Sequence, residues 1–260
     1  IYLKNWRNIL KLKNIKYEIH DDGIAFINLN NKPVNSLNID IIEDLDKVLN
    51  DIEKNNKCRL VIFRSLQKHF SAGADLKERK NMTIKETQSF LKKVNKLFCR
   101  IEQLEIPSIA SINGAALGGG LELALCCDFR IASEEAILGL PETSLGIIPG
   151  AGGIFRLANT IGFSKAKYWV FTAQKFSSEN AHKDGAVDFI SKDEELLGVT
   201  LDISQEILDN APLAIKFSKK LFNEGIDKKK LELQEKIYNK IIDTEDKKEA
   251  LKAFSEKRKP

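Results

Sequence analysis

The sequence has few of the residues from which metal sites and disulfide frameworks are built. Its 260 residues include three histidines and four cysteines. The histidines are isolated, with no second metal-type ligand at helical or turn spacing, which argues against a structural metal site. The cysteines show no C-x-x-C spacing, so we expect buried, reduced thiols in an intracellular compartment. They are Cys58, Cys99, Cys126 and Cys127.

Long hydrophobic runs and internal linkers are also absent. The longest apolar run, Ala115 to Cys127, is too short to span a bilayer and contains Glu122, so we expect no membrane segment. Hydrophobic residues make up 43 % and charged residues 30 % of the chain, which is typical of a globular protein. No repeat or proline-rich tract divides the sequence. The length fits one large domain, with or without a small appendage.

Acidic residues are missing from the first seventeen positions, which carry five basic ones. A basic, acid-free start with Leu, Ile and Trp interspersed, in a sequence that begins with Ile, is typical of the end of an organelle-targeting segment. It is equally typical of an ordinary basic first helix. We therefore expect residues 1–14 to be a targeting remnant or a basic extension.

Hydrophobic periodicity predicts alternating strands and helices. Short β-type runs occupy 24–29, 59–64 and 108–112. Between them, 39–53 and the stretch from Phe90 to Leu104 carry apolar residues at helical spacing. This order predicts an α/β fold with crossover connections.

Strand signals end near Ser191. Residues 196–208, 212–222 and 231–254 have helical patterns, with Pro212 where a helix can start and Gly225 where one can end. We predict a helical region over 196–260 that packs on, or extends from, the α/β part.

Three segments combine glycines with acidic residues. They are FSAGADL (70–76), NGAALGGGLEL (113–123), and GLPE (139–142) with GIIPGAGG (146–153). Each glycine-rich turn alone is as typical of close packing as of ligand binding, and none matches a P-loop or a dinucleotide fingerprint. Together they favour a pair of backbone N–H donors aimed at one developing anion, with carboxylates beside it.

The same runs resemble the signature segments of the crotonase, or enoyl-CoA hydratase/isomerase, superfamily. FSAGADLKER, NGAALGGGLELALCCD and GLPETSLGIIPGAGG agree in order and interval, as do Asn35-Ser36-Leu37 and the closing LKAFSEKR. The resemblance covers the chain from Ile15 onward. ADLKER with Met82 is most similar to the methylglutaconyl-CoA hydratase, or AU-binding-protein, branch, whereas Pro141 is typical of short-chain enoyl-CoA hydratases.

The resemblance implies a fold and an assembly. The expected fold is a crotonase-like spiral of ββα turns over 15–195, with the C-terminal helices forming a trimer or a dimer of trimers. It also implies an acyl-CoA substrate, no separate cofactor because coenzyme A is part of the substrate, and a mitochondrial matrix location, with the cytoplasm or another organelle as the alternative.

The resemblance also implies site roles. The backbone N–H groups of Ala74 and Gly119 would form an oxyanion hole for the thioester carbonyl. Glu122 would orient or deprotonate the attacking water, and Glu142 would deliver a proton to C2. The implied CoA-binding residues are Ala72, Gly73, Ala74, Asp75, Leu76, Lys77, Gly118, Gly119 and Lys257.

We therefore expect a hydratase for a short-chain or branched enoyl-CoA. Isomerisation or another crotonase reaction is one alternative. Ile154-Phe155 stands where the family commonly has Thr-Gln, which leaves the acyl-chain preference open. A second alternative is binding of AU-rich RNA, since Lys92, Lys96 and Arg100 form a basic stripe at four-residue spacing. Such a stripe is more often the solvated face of a helix.

Overall fold

A parallel sheet buried between helices organises the chain. The computed structural model describes residues 7–8, 10, 12–224, 245, 249, 256 and 258. The strands are β1 (Arg7–Asn8), β2 (Ile15–Ile19), β3 (Ile24–Leu29), β4 (Leu60–Ser65), β5 (Ser108–Ile112), β6 (Ala115–Leu117), β7 (Phe129–Ser133), β8 (Ile137–Gly139), β9 (Phe176–Ser177) and β10 (Phe189–Ser191). The helices are α1 (Ile39–Ile52), α2 (Leu76–Lys80), α3 (Ile84–Glu102), α4 (Gly119–Ala124), α5 (Gly153–Ile161), α6 (Phe163–Thr172), α7 (Ser178–Asp184), α8 (Leu196–Leu208) and α9 (Pro212–Glu224), with 3₁₀ turns at Pro141–Leu145 and Asp193–Glu195.

Within the described residues the strands form two sheets. The larger has the order β1-β2-β3-β4-β5-β7-β10, and the smaller has the order β6-β8-β9. In the larger sheet β1, β2 and β3 pair antiparallel, whereas the pairs from β3 to β10 are parallel. The parallel pairs need crossover connections, and α1 and α3 supply two of them.

The mostly apolar sequence of β3, in which Asn28 is the one polar residue, follows from burial on both faces of the sheet. Ala25, Ile27 and Leu29 pack in one cluster with the inner faces of α1 and α3. Ile24 and Phe26 point the other way, into a second cluster with α8. Successive strand side chains alternate between faces, so a strand covered on both sides lacks the regular polar positions of a half-exposed strand. The buried Asn28 side chain donates to the carbonyl of Lys16.

The predicted elements in this part of the chain are confirmed with small shifts at their ends. The strand predicted at 59–64 lies at Leu60–Ser65, and the helix predicted at 212–222 extends to Glu224. The pattern analysis missed β2 and the short strands β6 to β10. These strands have two to five residues, too few for a period to stand out.

Some predictions need correction, and others lie outside the described residues. Cys58, Cys126 and Cys127 are buried free thiols, but Cys99 is exposed because it lines an open cleft beside α3. Gly225 and Lys257 lie outside the described part, as does the helix predicted at 231–254 except for residues 245 and 249, which are helical. In the described part, no helix has the length and apolar character needed to cross a bilayer.

Candidate active site

Two of the glycine-containing turns lie side by side. The turn after β4 and strand β6 form a parallel bridge between Ser71 and Ala116. The N–H of Ser71 donates to the carbonyl of Ala115 at 3.0 Å, and the N–H of Leu117 donates to the carbonyl of Ser71 at 3.0 Å. Segments more than forty residues apart in the sequence are thus in register at this point.

Glycines set how closely these turns approach. A Cβ on Gly73 would lie 2.6 Å from the carbonyl oxygen of Leu117 and 3.1 Å from the nitrogen of Gly119. A Cβ on Gly119 would lie 3.6 Å from the nitrogen of Ala74. Gly73 also has a φ of +89°, which residues with side chains rarely adopt. The amides of Ala74 and Gly119 are therefore close neighbours.

Among the described residues, the N–H groups of Ala74 and Gly119 are free to donate to a ligand, because the neighbouring N–H groups are the ones that bond within the protein. Ala72 donates to the carbonyl of Val34, Gly73 to Ser71 Oγ and Asp75 to the carbonyl of Leu37. Within the described part of the chain, the N–H of Ala74 has no acceptor. Gly119 is the first residue of α4, so its N–H has no acceptor within that helix.

Asn35 holds the first turn from beneath. Its side chain is fully buried, and its Nδ2 donates to Ser65 Oγ at 2.7 Å and to the carbonyls of His69 and Phe70 at 3.0 and 3.1 Å. The carbonyl of Asn35 accepts from Ser71 Oγ at 2.7 Å. Its φ of +51° is one that Asn tolerates better than most residues. This role of Asn35 could not be predicted from its motif, because its partners lie thirty or more residues further along the chain.

Glu122 is held by the third segment. It is 3 % exposed, and its Oε1 accepts from the N–H groups of Ala151 at 2.7 Å and Gly153 at 2.8 Å. Gly153 begins α5, so the carboxylate lies at the positive end of that helix. Burial raises the pKa of Glu122, and the two amides, followed by Arg156 and Arg79, act against that rise.

Arg156 fixes the loop that carries those amides. Its side chain is 9 % exposed, donates to the carbonyl of Ala151 at 2.7 Å and pairs with Glu102 at 2.8 Å. Asn95 on α3 donates to the carbonyl of Gly150 at 2.8 Å. The loop geometry around Glu122 therefore depends on side chains of α3 and α5, which no local pattern in the third segment could indicate.

Glu142 packs against Gly118, the residue that precedes α4. A Cβ on Gly118 would lie 2.7 Å from Glu142 Oε1, so the carboxyl group packs directly on that backbone. Its Oε2 is buried and has no hydrogen-bond partner among the described residues. Burial, with the charge of Glu122 adding to it, raises the pKa of Glu142 to about 7. This carboxyl group therefore keeps its proton much more readily than an exposed glutamate.

These groups share the wall of one cleft of about 1200 Å³. Of the predicted site residues, the cleft is lined by Ala74, Leu76, Gly119, Glu122 and Glu142. The others are not in its lining: they are Ala72, Gly73, Asp75, Lys77 and Gly118. Asp75 caps α2 by accepting from the N–H groups of Lys77 and Glu78, and Lys77 is exposed. No cluster of metal-binding side chains occurs among the described residues.

The arrangement is suited to acid–base chemistry on a substrate that develops an oxyanion. Two neighbouring amides can stabilise negative charge on one oxygen, and two carboxyl groups with different hydrogen-bond partners stand beside them. Fold and cleft together thus define an enzyme of the acid–base class. Which enzyme family this is follows from comparison with known proteins.

The chain belongs to the enoyl-CoA hydratase/isomerase family, whose family model matches residues 20–260. The predicted family and its crotonase fold are confirmed. An enoyl-CoA hydratase from Bacillus anthracis superposes with a TM-score of 0.93 at 38 % identity, covering 95 % of this chain and 98 % of that one.

Three relatives that this chain resembles over most of its length are named as hydratases of different enoyl-CoA thioesters. Probable enoyl-CoA hydratase 2, mitochondrial, from Arabidopsis thaliana is 44 % identical, covering 92 % of this chain and 81 % of its own length. A short-chain-enoyl-CoA hydratase from Clostridium acetobutylicum is 39 % identical, and the match covers 96 % of this chain and 97 % of that protein. Human methylglutaconyl-CoA hydratase, mitochondrial, is 37 % identical, and the match covers 96 % of this chain and 76 % of that protein.

Replacing Gly153 tests whether the position of Glu122 matters. In Gly153→Ala, the new Cβ would lie 2.7 Å from Glu122 Cγ and displace the carboxylate. We expect enoyl-CoA turnover to fall about 10²-fold, since small misplacements of a catalytic group cost about that much. Gly198→Ala is the control, because its Cβ would meet nothing within 4 Å on α8. Equal activity in both variants would contradict the assignment.

Replacing Glu142 tests whether its buried carboxylate, when ionised, destabilises the folded state. Its pKa is raised from 4.5 to about 7, so its ionisation destabilises the folded state progressively between those pH values. Glu142→Gln should therefore gain about 2 kcal/mol of unfolding free energy relative to the parent between pH 4.5 and pH 8, after allowance for solvent screening. Urea unfolding at both pH values measures this. A stability difference independent of pH would refute it, and exposed Glu135→Gln is the control.

Proposed function

We propose that this protein is an enoyl-CoA hydratase that adds water across the 2,3 double bond of a short-chain or branched enoyl-CoA, giving the 3-hydroxyacyl-CoA. One observation carries the proposal. Glu122 and Glu142 line the same cleft as the open amides of Ala74 and Gly119, and the two carboxyl groups have different surroundings.

The oxyanion hole is the first part of the mechanism. The thioester carbonyl accepts from the N–H groups of Ala74 and Gly119. When water attacks C3, electron density moves from the double bond onto this oxygen as an enolate. Donors that are already in place stabilise the charge without reorganising, and each is worth about 3 kcal/mol, or roughly 10²-fold in rate.

The two carboxyl groups handle the protons. Glu122, whose charge is supported by the amides of Ala151 and Gly153 and then by Arg156, takes a proton from the attacking water. Glu142, with its raised pKa, gives its proton to C2 as the enolate collapses. One water is consumed, its oxygen bonds to C3, and the proton now on Glu122 returns to Glu142 to reset the pair.

The presence of both carboxyl groups favours hydration over isomerisation. Moving a double bond requires one group that removes and returns a proton. Adding water requires a group that holds and activates the water and another that protonates carbon. Glu122 has the fixed geometry for the first task, and Glu142 has the proton affinity for the second.

Coenzyme A contacts are proposed more narrowly than the sequence suggested. In the turn from Ala72 to Leu76, three N–H groups are already bonded within the protein. The carbonyls of Ala72 and Ala74 accept no hydrogen bond from the described residues, and they are the groups we assign to the pantetheine amides. Lys77 is exposed and suited to a phosphate. Lys257 lies outside the described residues, and its role stays a prediction.

Self-association and cellular location are further parts of the proposal. Phe155, Phe163, Phe171 and Phe222 are 71–85 % exposed, and large exposed apolar side chains are typical of interfaces. We propose a homotrimer or hexamer. We propose a mitochondrial matrix location; the plant and human relatives are named as mitochondrial proteins, which supports the organelle.

Binding of AU-rich RNA has no supporting observation. Lys92 and Lys96 are exposed on α3, but Arg100 is paired with Asp46 on α1 and with Glu53, which follows that helix. The basic stripe is therefore interrupted by a charge that the protein already neutralises. RNA binding stays a prediction.

A hydration assay tests the proposed function. With crotonyl-CoA, we expect loss of the conjugated enoyl absorbance in the parent. Glu122→Gln and Glu142→Gln should each lose about 10²-fold or more in kcat while still binding coenzyme A thioesters. Exposed Glu135→Gln should match the parent.

Two results of these assays would contradict the proposal. Full activity in either variant would remove that residue from the mechanism. If the parent instead generates conjugated absorbance from a 3-enoyl-CoA and leaves crotonyl-CoA unchanged, the enzyme is an isomerase and the hydratase proposal fails.

A further inference from the structure

A second arginine lines the catalytic cleft, and its charge is not paired there. Arg79 on α2 stacks over the ring of Phe90, with its guanidinium carbon 4.2 Å from the ring centre. Both residues belong to the cleft lining. The guanidinium makes no salt bridge or side-chain hydrogen bond with any residue in the described part of the chain.

Arg156 provides a contrast within the same cleft. Its guanidinium donates to the carbonyl of Ala151 and pairs with Glu102, so it is committed to holding the loop. Arg79 is partly buried, and burial lowers the pKa of its guanidinium, with Glu78 and then Glu122 acting against that effect. The donors of the Arg79 guanidinium have no partner among the described residues, so they are available to an anion that enters the cleft.

The position of Arg79 limits which anion this is. Arg79 follows the oxyanion-hole residue Ala74 by five positions, and its charge and that of Glu122 influence each other. The phosphates of coenzyme A are separated from the thioester by the whole pantetheine arm. An anion close to Glu122 and Phe90 therefore has to be carried by the acyl group itself.

We propose that Arg79 determines substrate specificity by binding a carboxylate at the far end of the acyl chain, so that the preferred substrate is an enoyl-CoA with a terminal carboxylate. This inference rests on the proposed hydratase function and names its substrate class. The planar guanidinium over Phe90 presents a fork that suits a carboxylate, and the nearby Leu91 and Val94 pack along the uncharged part of the chain.

Kinetics with two substrates test the inference. Glutaconyl-CoA carries the terminal carboxylate, and crotonyl-CoA lacks it. The parent should have the higher kcat/KM for glutaconyl-CoA. Arg79→Gln should lose about 10²-fold in kcat/KM for glutaconyl-CoA, mainly through KM, and less than about threefold for crotonyl-CoA. Arg79→Lys should keep part of the preference, because it keeps the charge but loses the fork.

Lys80→Gln is the matched control. It removes one positive charge from the same short helix at an exposed position, and it should keep the parent's ratio of kcat/KM values. Equal losses on both substrates in Arg79→Gln would overturn the inference, since Arg79 would then act through Glu122 or through folding. A parent without preference for the carboxylated substrate would overturn it as well.

Binding of saturated thioesters separates this inference from the hydratase proposal. Glutaryl-CoA and butyryl-CoA differ in the terminal carboxylate and cannot be hydrated. We expect the Kd of glutaryl-CoA to rise about 10²-fold in Arg79→Gln, with that of butyryl-CoA unchanged. An unchanged ratio of the two Kd values rejects the carboxylate site, whatever the enzyme does with crotonyl-CoA. If the parent hydrates neither crotonyl-CoA nor glutaconyl-CoA but the ratio of the two Kd values shifts in Arg79→Gln, the hydratase proposal fails and the carboxylate site stands.

Discussion

The site depends on two backbone turns approaching more closely than side chains would allow. A Cβ on Gly73 would lie 2.6 Å from the carbonyl oxygen of Leu117, and one on Gly120 would lie 2.4 Å from that of Ser71. This contact brings the amide of Ala74 beside the amide of Gly119. The bridge between Ser71 and Ala116 keeps it in register. The remaining features of the cleft are arranged around these two amides.

The two carboxyl groups beside the amides of Ala74 and Gly119 differ in their hydrogen bonding. Glu122 is buried but receives two backbone hydrogen bonds at the start of α5, which support its charge. Glu142 is buried against Gly118 with its Oε2 unbonded among the described residues, which supports its neutral form. A buried pair of this kind is unfavourable for stability. Its presence is explained if one group accepts a proton while the other donates one.

Much of this could be predicted from the sequence, for identifiable reasons. Five of the six residues of β3 are apolar because both faces of the sheet are covered. The glycine segments are recognisable because the close backbone contacts between them require glycine at fixed positions. Ala74, Gly119, Glu122 and Glu142 were found through those segments. Their roles rest on resemblance and on the geometry of the cleft.

The missed features depend on contacts between distant residues. Asn35 supports the first turn from more than thirty residues away, and Arg156 acts on the loop through Glu102 of α3. The sequence shows Arg79 as one of several basic residues between 77 and 100. Only the fold distinguishes it from Arg100, which is paired with α1. The short strands β6 and β8 could not be predicted because three residues carry no measurable period.

The most direct test of the central claim is a crystal structure with acetoacetyl-CoA, a thioester whose carbonyl oxygen carries enolate character. The account predicts that the thioester oxygen lies about 2.7–3.1 Å from the backbone nitrogens of both Ala74 and Gly119, with Glu122 and Glu142 on either side of the acyl carbons. A thioester oxygen that contacts only one of these nitrogens, or neither, would contradict it.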